Sequence, residues 1–498
     1  MSSAESRKRI AVVIPKYRIW LWQRQVISSL QESFDVVTYV SSEAVSYPLF
    51  VRIWLAFENA LLGGRACVQT TTIFGQTWPP SDNNFFFILN LSESPIGFSE
   101  VPIIESRFDN SLDSLSLFAA IVDQNSPLIS FQLVGSTEPL VASYLAIPDK
   151  TSLGAGLQRS FARLTVLAER ATKHLLNGSR AAMLPPSARA SSTLSVWRIV
   201  AFSFRFFSRR LGWFFRGIRL DEHWSIGVLW GSRWDVPNNV PLMNFTKLQD
   251  DGKRYYADPF ILCYNGATWL FAEELGYKDK KGVISCGELR AGETEISFRP
   301  VLARPYHLSY PFVFQHGDEV YMMPESGSSR KVELYRARTF PLDWILDRII
   351  LEDLELYDST LLNYRNMWWI FGAIVHKGGS DRDELAIFYS EQLGGCWRPH
   401  ALNPVKSDCR SARPAGRIIV VGDRLLRPAQ DCENGYGMGV VWLEILELTP
   451  DNFNEREIAR WPGSAAGAQG LHTFDCQGEL AVIDTRCRLT RLKAAFAW

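Results

Sequence analysis

Three segments in the second half of the chain present chemically active side chains at matched places: DPFILCYNGATWLFAEE from Asp258, YPFVFQHGDEVYMMPES from Tyr310 and DSTLLNYRNMWWIFGA from Asp358. Each opening residue stands eleven positions before an aromatic, namely Trp269, Tyr321 and Trp369. The Asn265-Gly266 pair is a two-residue hairpin signal, and a hairpin centred there sets Asp258 opposite Glu273. The second copy carries Glu325 where the first has Glu273. Two weaker copies begin at Arg413 (RPAGRIIVVGDRLLRPAQD) and at His472 (HTFDCQGELAVIDTR). Gathered around one axis, these openings form a rim of Asp258, Glu273, Tyr310, Glu325, Asp358, Arg413 and His472. Paired carboxylates across a cleft are the minimum equipment for glycoside hydrolysis, one moving a proton while the other acts as base or nucleophile. Crowding of Glu325 with Glu273 and Asp258 would raise one pKa and keep that acid protonated at neutral pH. The same side chains have a structural use, because Asp-Pro and Asp-Ser openings are ordinary turn chemistry and edge carboxylates cap backbone amides.

A strand-turn-strand pattern that recurs about every fifty residues points to a propeller or a solenoid. Five copies predict an all-β five-bladed β-propeller over residues 219–498, opened by the strand-like HWSIGVLWG from His223. Its outer strands are expected to include Val283 to Leu289, Val332 to Ala337, Leu385 to Tyr389 and Val440 to Leu448. A radial array brings the five mouths to one channel. There His307, Tyr310, Arg413 and His472 are candidates to contact a sugar hydroxyl, a phosphate or a ligand carboxylate. Each has a structural alternative, and a lone His307 fits the structural role best. Trp269, Trp368 and Trp369 are read as filling the space between blades rather than stacking on a sugar.

Residues 8–176 read as an α/β domain: IAVVIP is a buried strand, Trp20 to Ser33 a helix, DVVTYVS a second strand and FFFILNLS a third. The first strand is followed by neither GxGxxG nor GxxxxGK[ST], so Gly63, Gly64 and Gly75 are taken as turn residues. Residues 177–218 form a boundary, with a linker rich in small residues and proline at 177–193 followed by a basic aromatic helix around 196–216. The helix reads as packed between domains with its arginines snorkelling outward; the alternative is peripheral contact with an anionic membrane.

The bulk numbers set bounds. Of 498 residues, 47% are apolar, ample for more than one core. Formal net charge is +0, which argues against a general nucleic-acid binder. The 8 cysteines form no CxxC pair, so they read as reduced thiols, and neither a metal nor a cofactor is expected. The apolar run Ile10 to Ile14 is too short for a signal-peptide core, and a cytoplasmic or membrane-peripheral protein is the expectation.

Three resemblances add to this reading. The Ala-Asp258-Pro sequence of the first copy resembles that of family 43 glycoside hydrolases and related five-bladed enzymes. That likeness implies Asp258 as base or nucleophile, Asp358 as an orienting aspartate and Glu325 as a candidate acid, with Glu273 nearby. In the family the acid comes from a later blade, where this chain has RPAGR, Asp431 and Glu433. The ordered set RYYADPFI, FAEE, HLSYPFVF, MMPES and YDSTLL with WWIFG resembles the N-terminal region of plant glucosamine inositolphosphorylceramide transferases and their bacterial relatives, over roughly residues 223 to 450. It implies glycan or glycolipid metabolism, with either catalysis or glycan binding at the propeller channel. The first 150 or so residues resemble the N-terminal domain of formyltransferases acting on methionyl-tRNA and nucleotide sugars. Those enzymes carry an Asn, His and Asp set. This chain offers Asn90 and no histidine before His174, so the domain reads as degenerate.

Overall fold

A computed structural model describes residues 7–490 apart from 17–18, 44, 46, 62–69, 72–74, 81–83, 98, 148–149, 179–193, 217–219, 232–240, 280 and 377–378. The proposed linker at 179–193, Gly63 and Gly64 therefore lie outside the described residues. The chain divides into two compact units, Met1–Leu211 with Lys377–Gly379, and Gly212–His376 with Ser380–Trp498.

The first unit is α/β. Its order is β1 (Arg9–Ile14), α1 (Leu21–Leu30), β2 (Asp35–Val40), α2 (Leu49–Leu61), β3 (Gln76–Thr77), β4 (Ile88–Asn90), β5 (Ile103–Phe108), α3 (Leu115–Val122), β6 (Leu128–Leu133), β7 (Pro139–Tyr144), α4 (Leu153–Asn177) and α5 (Val196–Arg216). The sheet runs β3-β2-β1-β4-β5-β6-β7, parallel from β3 to β5 and antiparallel beyond. Strand β1 is apolar and buried from Ile10 to Ile14 because both faces are covered. Ile10, Val12 and Ile14 enter the main helix-packed core, whereas Ala11 and Val13 enter a cluster with Tyr39 and Phe85. Helix α4 starts where Ser152 Oγ accepts the Ala155 N–H at 3.1 Å and stops at Gly178, whose φ of 63° only glycine adopts freely.

Helix α5 packs on this unit through Ile199, Phe202 and Phe206, one stripe at helical spacing. Its described arginines do not snorkel outward as the sequence suggested. Arg198 Nε donates to Asp123 at 3.0 Å, and Arg205 donates to the Val122 carbonyl at 2.7 Å. The reason is the open C-terminal end of α3, whose carbonyls and following aspartate attract cations.

Among the described residues the second unit is a ring of five sheets, four of them four-stranded and the third carrying an additional short strand, Lys406–Ser407, paired with Glu384 and Leu385. Blade 1 comprises Arg254–Tyr264, Ala267–Gly276, Gly282–Glu288 and Arg299–Leu302; blade 2 comprises Ser309–His316, Glu319–Glu325, Lys331–Thr339 and Asp343–Glu352. Blade 3 has Leu356–Tyr364, Met367–Ile374, Glu384–Ser390 and Arg398–Pro399; blade 4 has Ile419–Val421, Arg424–Asp431, Gly439–Leu448 and Phe453–Pro462. The segments expected as outer strands are third strands, and a fourth lies beyond each. Blade 5 joins both ends of the unit: Phe474–Gln477 and Leu480–Thr490 supply its inner half, Leu220–Trp230 and Thr246–Lys247 its outer half. Pairing from Leu220↔Thr490 to Trp230↔Leu480 joins the two ends of the unit within one sheet and so closes the ring.

Phe474 packs edge-on against Trp442 at 5.2 Å and Trp461 at 5.4 Å, tying blade 5 to blade 4. Phe474→Ala is expected to lower unfolding free energy by about 3–5 kcal/mol, read from chemical denaturation of the full chain; a loss below about 1 kcal/mol would deny this contact its role in closure.

Candidate channel-mouth site

The first strand of each of blades 1 to 3 breaks register at one place: between Ala257 and Phe260, Ser309 and Phe312, and Tyr357 and Thr360. At each break sits the opening residue found from the sequence, with φ of 50° at Asp258, 44° at Tyr310 and 52° at Asp358. These are β-bulges with a non-glycine residue in the left-handed region, a costly conformation that surrounding contacts must enforce. The bulge shifts the pairing. Glu273 stands opposite Ala257, not Asp258, and Glu325 opposite Ser309, because the extra residue is pushed out of the ladder.

Released from the ladder, the three residues turn toward one another. Asp258 Oδ2 accepts the Tyr310 N–H at 3.2 Å, and its Oδ1 accepts the Thr473 hydroxyl at 2.6 Å. The Asp258 N–H donates to Asp484 at 3.0 Å. Tyr310 Oη lies 2.7 Å from Thr360 Oγ1 and accepts the Gly416 N–H at 2.6 Å. Asp358 receives Arg413 Nε at 2.6 Å and Nη2 at 3.1 Å, plus Gln430 Nε2 at 2.8 Å. Arg413 also bonds Asp381 and lies over the rings of Tyr436 and Tyr357, 4.9 and 5.6 Å from their centroids. The structure thus brings Asp258, Tyr310, Asp358, Arg413 and His472 into one buried network.

His472 completes it from blade 5. Its Nδ1 lies 2.6 Å from Asp484 and its Nε2 3.5 Å from Asp258, while the ring stacks on Trp224 at 3.9 Å. Burial opposes the charged imidazole, but Asp484 and then Asp258 outweigh it and lift His472 to about 9. Burial raises Asp258 well above the carboxylate range, against the pull of the His472 imidazolium. Asp258, His472 and Asp484 bring possible ligand atoms within 4.8 Å of one another, a spacing that also suits a small cation.

Glu273, Glu325 and His307 form the more open part. Glu325 accepts the Gly327 N–H and the Ser309 hydroxyl, the latter at 3.1 Å. Burial, with the Asp358 charge second, pushes it up to about 7. His307 Nδ1 accepts the Gly282 N–H at 2.9 Å, so Nε2 faces Glu273 Oε1 at 3.3 Å. Burial lowers the His307 pKa, yet the bond and charge of Glu273 leave it raised. Glu273 Oε1 is buried and has no well-aligned hydrogen bond among the described residues. A Cβ on Gly282 would stand 2.7 Å from the His307 ring and 2.9 Å from Glu273, so glycine keeps this corner open. The His307 side chain is 38% exposed and that of Asp381 34%, whereas Asp258 and Asp358 are almost fully buried; approach is from the His307 and Asp381 side.

Several members escaped sequence reasoning. Gln430 stands as far past the Gly422-Asp423 turn as Glu273 and Glu325 stand past theirs, so blade 4 has an amide there. That offset was a usable signal. Asp381, Tyr436, Thr473 and Asp484 follow no spacing rule and converge only in the folded ring. Asp431 and Glu433 stand apart, Asp431 pairing with Arg460. Trp368 and Trp369 are buried in packing clusters. In the first unit Asn90 is used up locally: its Oδ1 accepts the Ser92 N–H at 3.0 Å and its Nδ2 donates to the Ser94 carbonyl at 2.9 Å.

Glu325 holds its proton more tightly folded than unfolded, so its contribution to stability is greatest at low pH and is lost as pH rises from about 4.5 through about 7. Relative to wild type, Glu325→Gln is expected to gain stability between pH 5 and pH 8, by on the order of 3 kcal/mol. Denaturant titrations at both pH values check this; parallel pH profiles would contradict it.

Comparison with known proteins places the propeller. The family model described as glucosamine inositolphosphorylceramide transferase 1, N-terminal, matches residues 218–466. Glucosamine inositolphosphorylceramide transferase 1 of Oryza sativa subsp. japonica is 31% identical over 300 residues, which is 53% of this chain and 40% of the rice protein. The Arabidopsis thaliana protein of the same name is 32% identical over 269 residues, 49% of this chain and 35% of that one. The chain thus aligns with well under half the length of these relatives. Among solved structures, an exo-β-1,3-galactanase from Clostridium thermocellum matches with a TM-score of 0.35 and 11% identity, covering 47% of this chain and 60% of that one.

Proposed function

The chain belongs to the glucosamine inositolphosphorylceramide transferase 1 N-terminal family, and from that premise we propose that its propeller is a carbohydrate-active module of glycan or glycolipid metabolism. In this reading the channel mouth binds a sugar-bearing ligand and cleaves or transfers a glycosyl group. One observation carries it: Glu325, raised to about 7, faces a cluster with more buried carboxylates than cations. A buried acid that keeps its proton near neutral pH is the group needed to protonate a departing glycosidic oxygen.

Glu325 acts as the general acid. Asp258, kept beside the His472 imidazolium, is the base or nucleophile. Asp358, clamped by Arg413 and Gln430, is an orienting group that shapes the field at Glu325. Glu273 and His307 receive sugar hydroxyls, since Glu273 Oε1 lacks an aligned partner and His307 is the accessible member. Arg413 and Tyr310 support the walls.

A second reading rests on a different observation. Both oxygens of Asp258 and both of Asp358 already accept hydrogen bonds from the protein. Carboxylates so committed act as struts, and the propeller then binds a glycan without changing it, assisting polysaccharide or glycolipid assembly.

A panel of oligosaccharides, sugar nucleotides and glycolipid headgroups is screened by thermal shift, followed by product analysis on those that stabilise. Under the catalytic reading Glu325→Gln retains the thermal shift and loses about 10²- to 10⁴-fold in turnover. Saturable binding with no product would favour the binding module. Absence of any sugar-dependent shift would overturn both.

A further inference from the structure

Helices α2 and α5 leave apolar stripes uncovered on the first unit. On α2, Leu49, Ile53 and Leu61 are 67, 60 and 51% exposed, at spacings that place them on one face. On α5, Trp197, Phe204 and Leu211 are 80, 74 and 59% exposed, seven residues apart and again on one face. The stripes are neighbours. Trp54 of α2 meets Phe206 of α5 edge-on at 5.4 Å, and Phe57 lies 5.8 Å from Phe207. Exposed single apolar residues need no explanation, but two adjoining stripes of this size on one surface do.

Charge selects what could cover them. The sequence of helix α5 carries five arginines and no acidic residue; Arg198 and Arg205 are held by Asp123 and the Val122 carbonyl at the end of α3, so the charge left for a partner rests on the others. Helix α2 has an exposed Arg52 and a single acid, Glu58, which is buried and accepts the Ser152 hydroxyl and the Gly154 N–H. The helical surface therefore turns its one negative charge inward. Among the described residues no helix is long and apolar enough to cross a membrane. Apolar stripes with a prominent tryptophan, basic residues and no exposed acid fit a helix pair lying in the interface of an anionic bilayer.

We propose that the α2–α5 face seats the first unit on an anionic lipid surface, with Trp197, Phe204 and Leu211 entering the headgroup boundary beside Ile53 and Leu61. The two stripes act together. Because these side chains are exposed, replacing them leaves the core of the unit intact.

The full chain is sedimented with vesicles of phosphatidylcholine alone and of phosphatidylcholine mixed with phosphatidylserine, at low and high salt. Two variants are compared: one combining Trp197→Ser, Phe204→Ser and Leu211→Ser, the other combining Ile53→Ser and Leu61→Ser. Wild type is expected to bind the mixed vesicles, less well at high salt, and each variant to lose at least about ten-fold in partitioning with an unchanged circular dichroism melt. Failure of wild type to bind mixed vesicles overturns the proposal, as does equal binding to both vesicle types or unaltered binding by the variants. A wild-type dimer that the first variant converts to monomer, seen by light scattering without vesicle binding, would assign the face to a second copy of the chain instead.

Discussion

The architecture of the channel mouth depends on one backbone constraint: Asp258, Tyr310 and Asp358 are held with positive φ in bulges at the same level of three successive blades. Each bulge ejects its residue from the ladder and frees its side chain to reach the next blade, while the N–H groups of Asp258 and Tyr310 bond the blade before. The cost of the left-handed conformation is of order 1–3 kcal/mol per residue and must be offset by the contacts it makes possible. Those contacts run around the ring, from Asp484 to the Asp258 N–H, from Asp258 to the Tyr310 N–H, and from Tyr310 to Thr360 and Gly416. Removing the constraint would both relax the bulges and scatter the buried charges.

Buried charge is the second constraint on the channel mouth. An isolated carboxylate at this depth would be prohibitively costly, so each is paired, bonded or protonated. Asp358 takes the first solution with Arg413, and Asp258 takes the second with Tyr310, Thr473 and His472. Glu325 has only two neutral donors and therefore takes the third. The division follows from which blade supplies a cation: burial raises both Asp258 and Glu325, and the His472 imidazolium from blade 5 pulls Asp258 back toward its charged form.

Much of the propeller was legible because its signals are local. The Asn265-Gly266 turn, the eleven-residue spacing to an aromatic and the alternation within each hairpin all report on short stretches of chain. What lay beyond reach was set by the ring. Residues of bulge-forming type at Asp258 and Asp358 look the same whether or not a bulge forms, and a β-region tyrosine was the natural reading of Tyr310. Hence Glu273 was paired one residue off. Asp484 and Thr473 become site residues only because blade 5 closes beside blade 1, a contact more than two hundred residues away in sequence. The arginines of α5 were misread for a similar reason, since the end of α3 that binds them is not visible from the helix itself.

The roles proposed for the channel mouth depend on Glu325 holding a proton at neutral pH. The direct test is the carboxyl carbon resonance of Glu325 in protein labelled with ¹³C-glutamate, assigned by its disappearance in Glu325→Gln and followed across pH. A midpoint near 7 is the predicted result. A midpoint in the ordinary glutamate range, near 4.3, would leave the channel mouth without its acid and contradict the account.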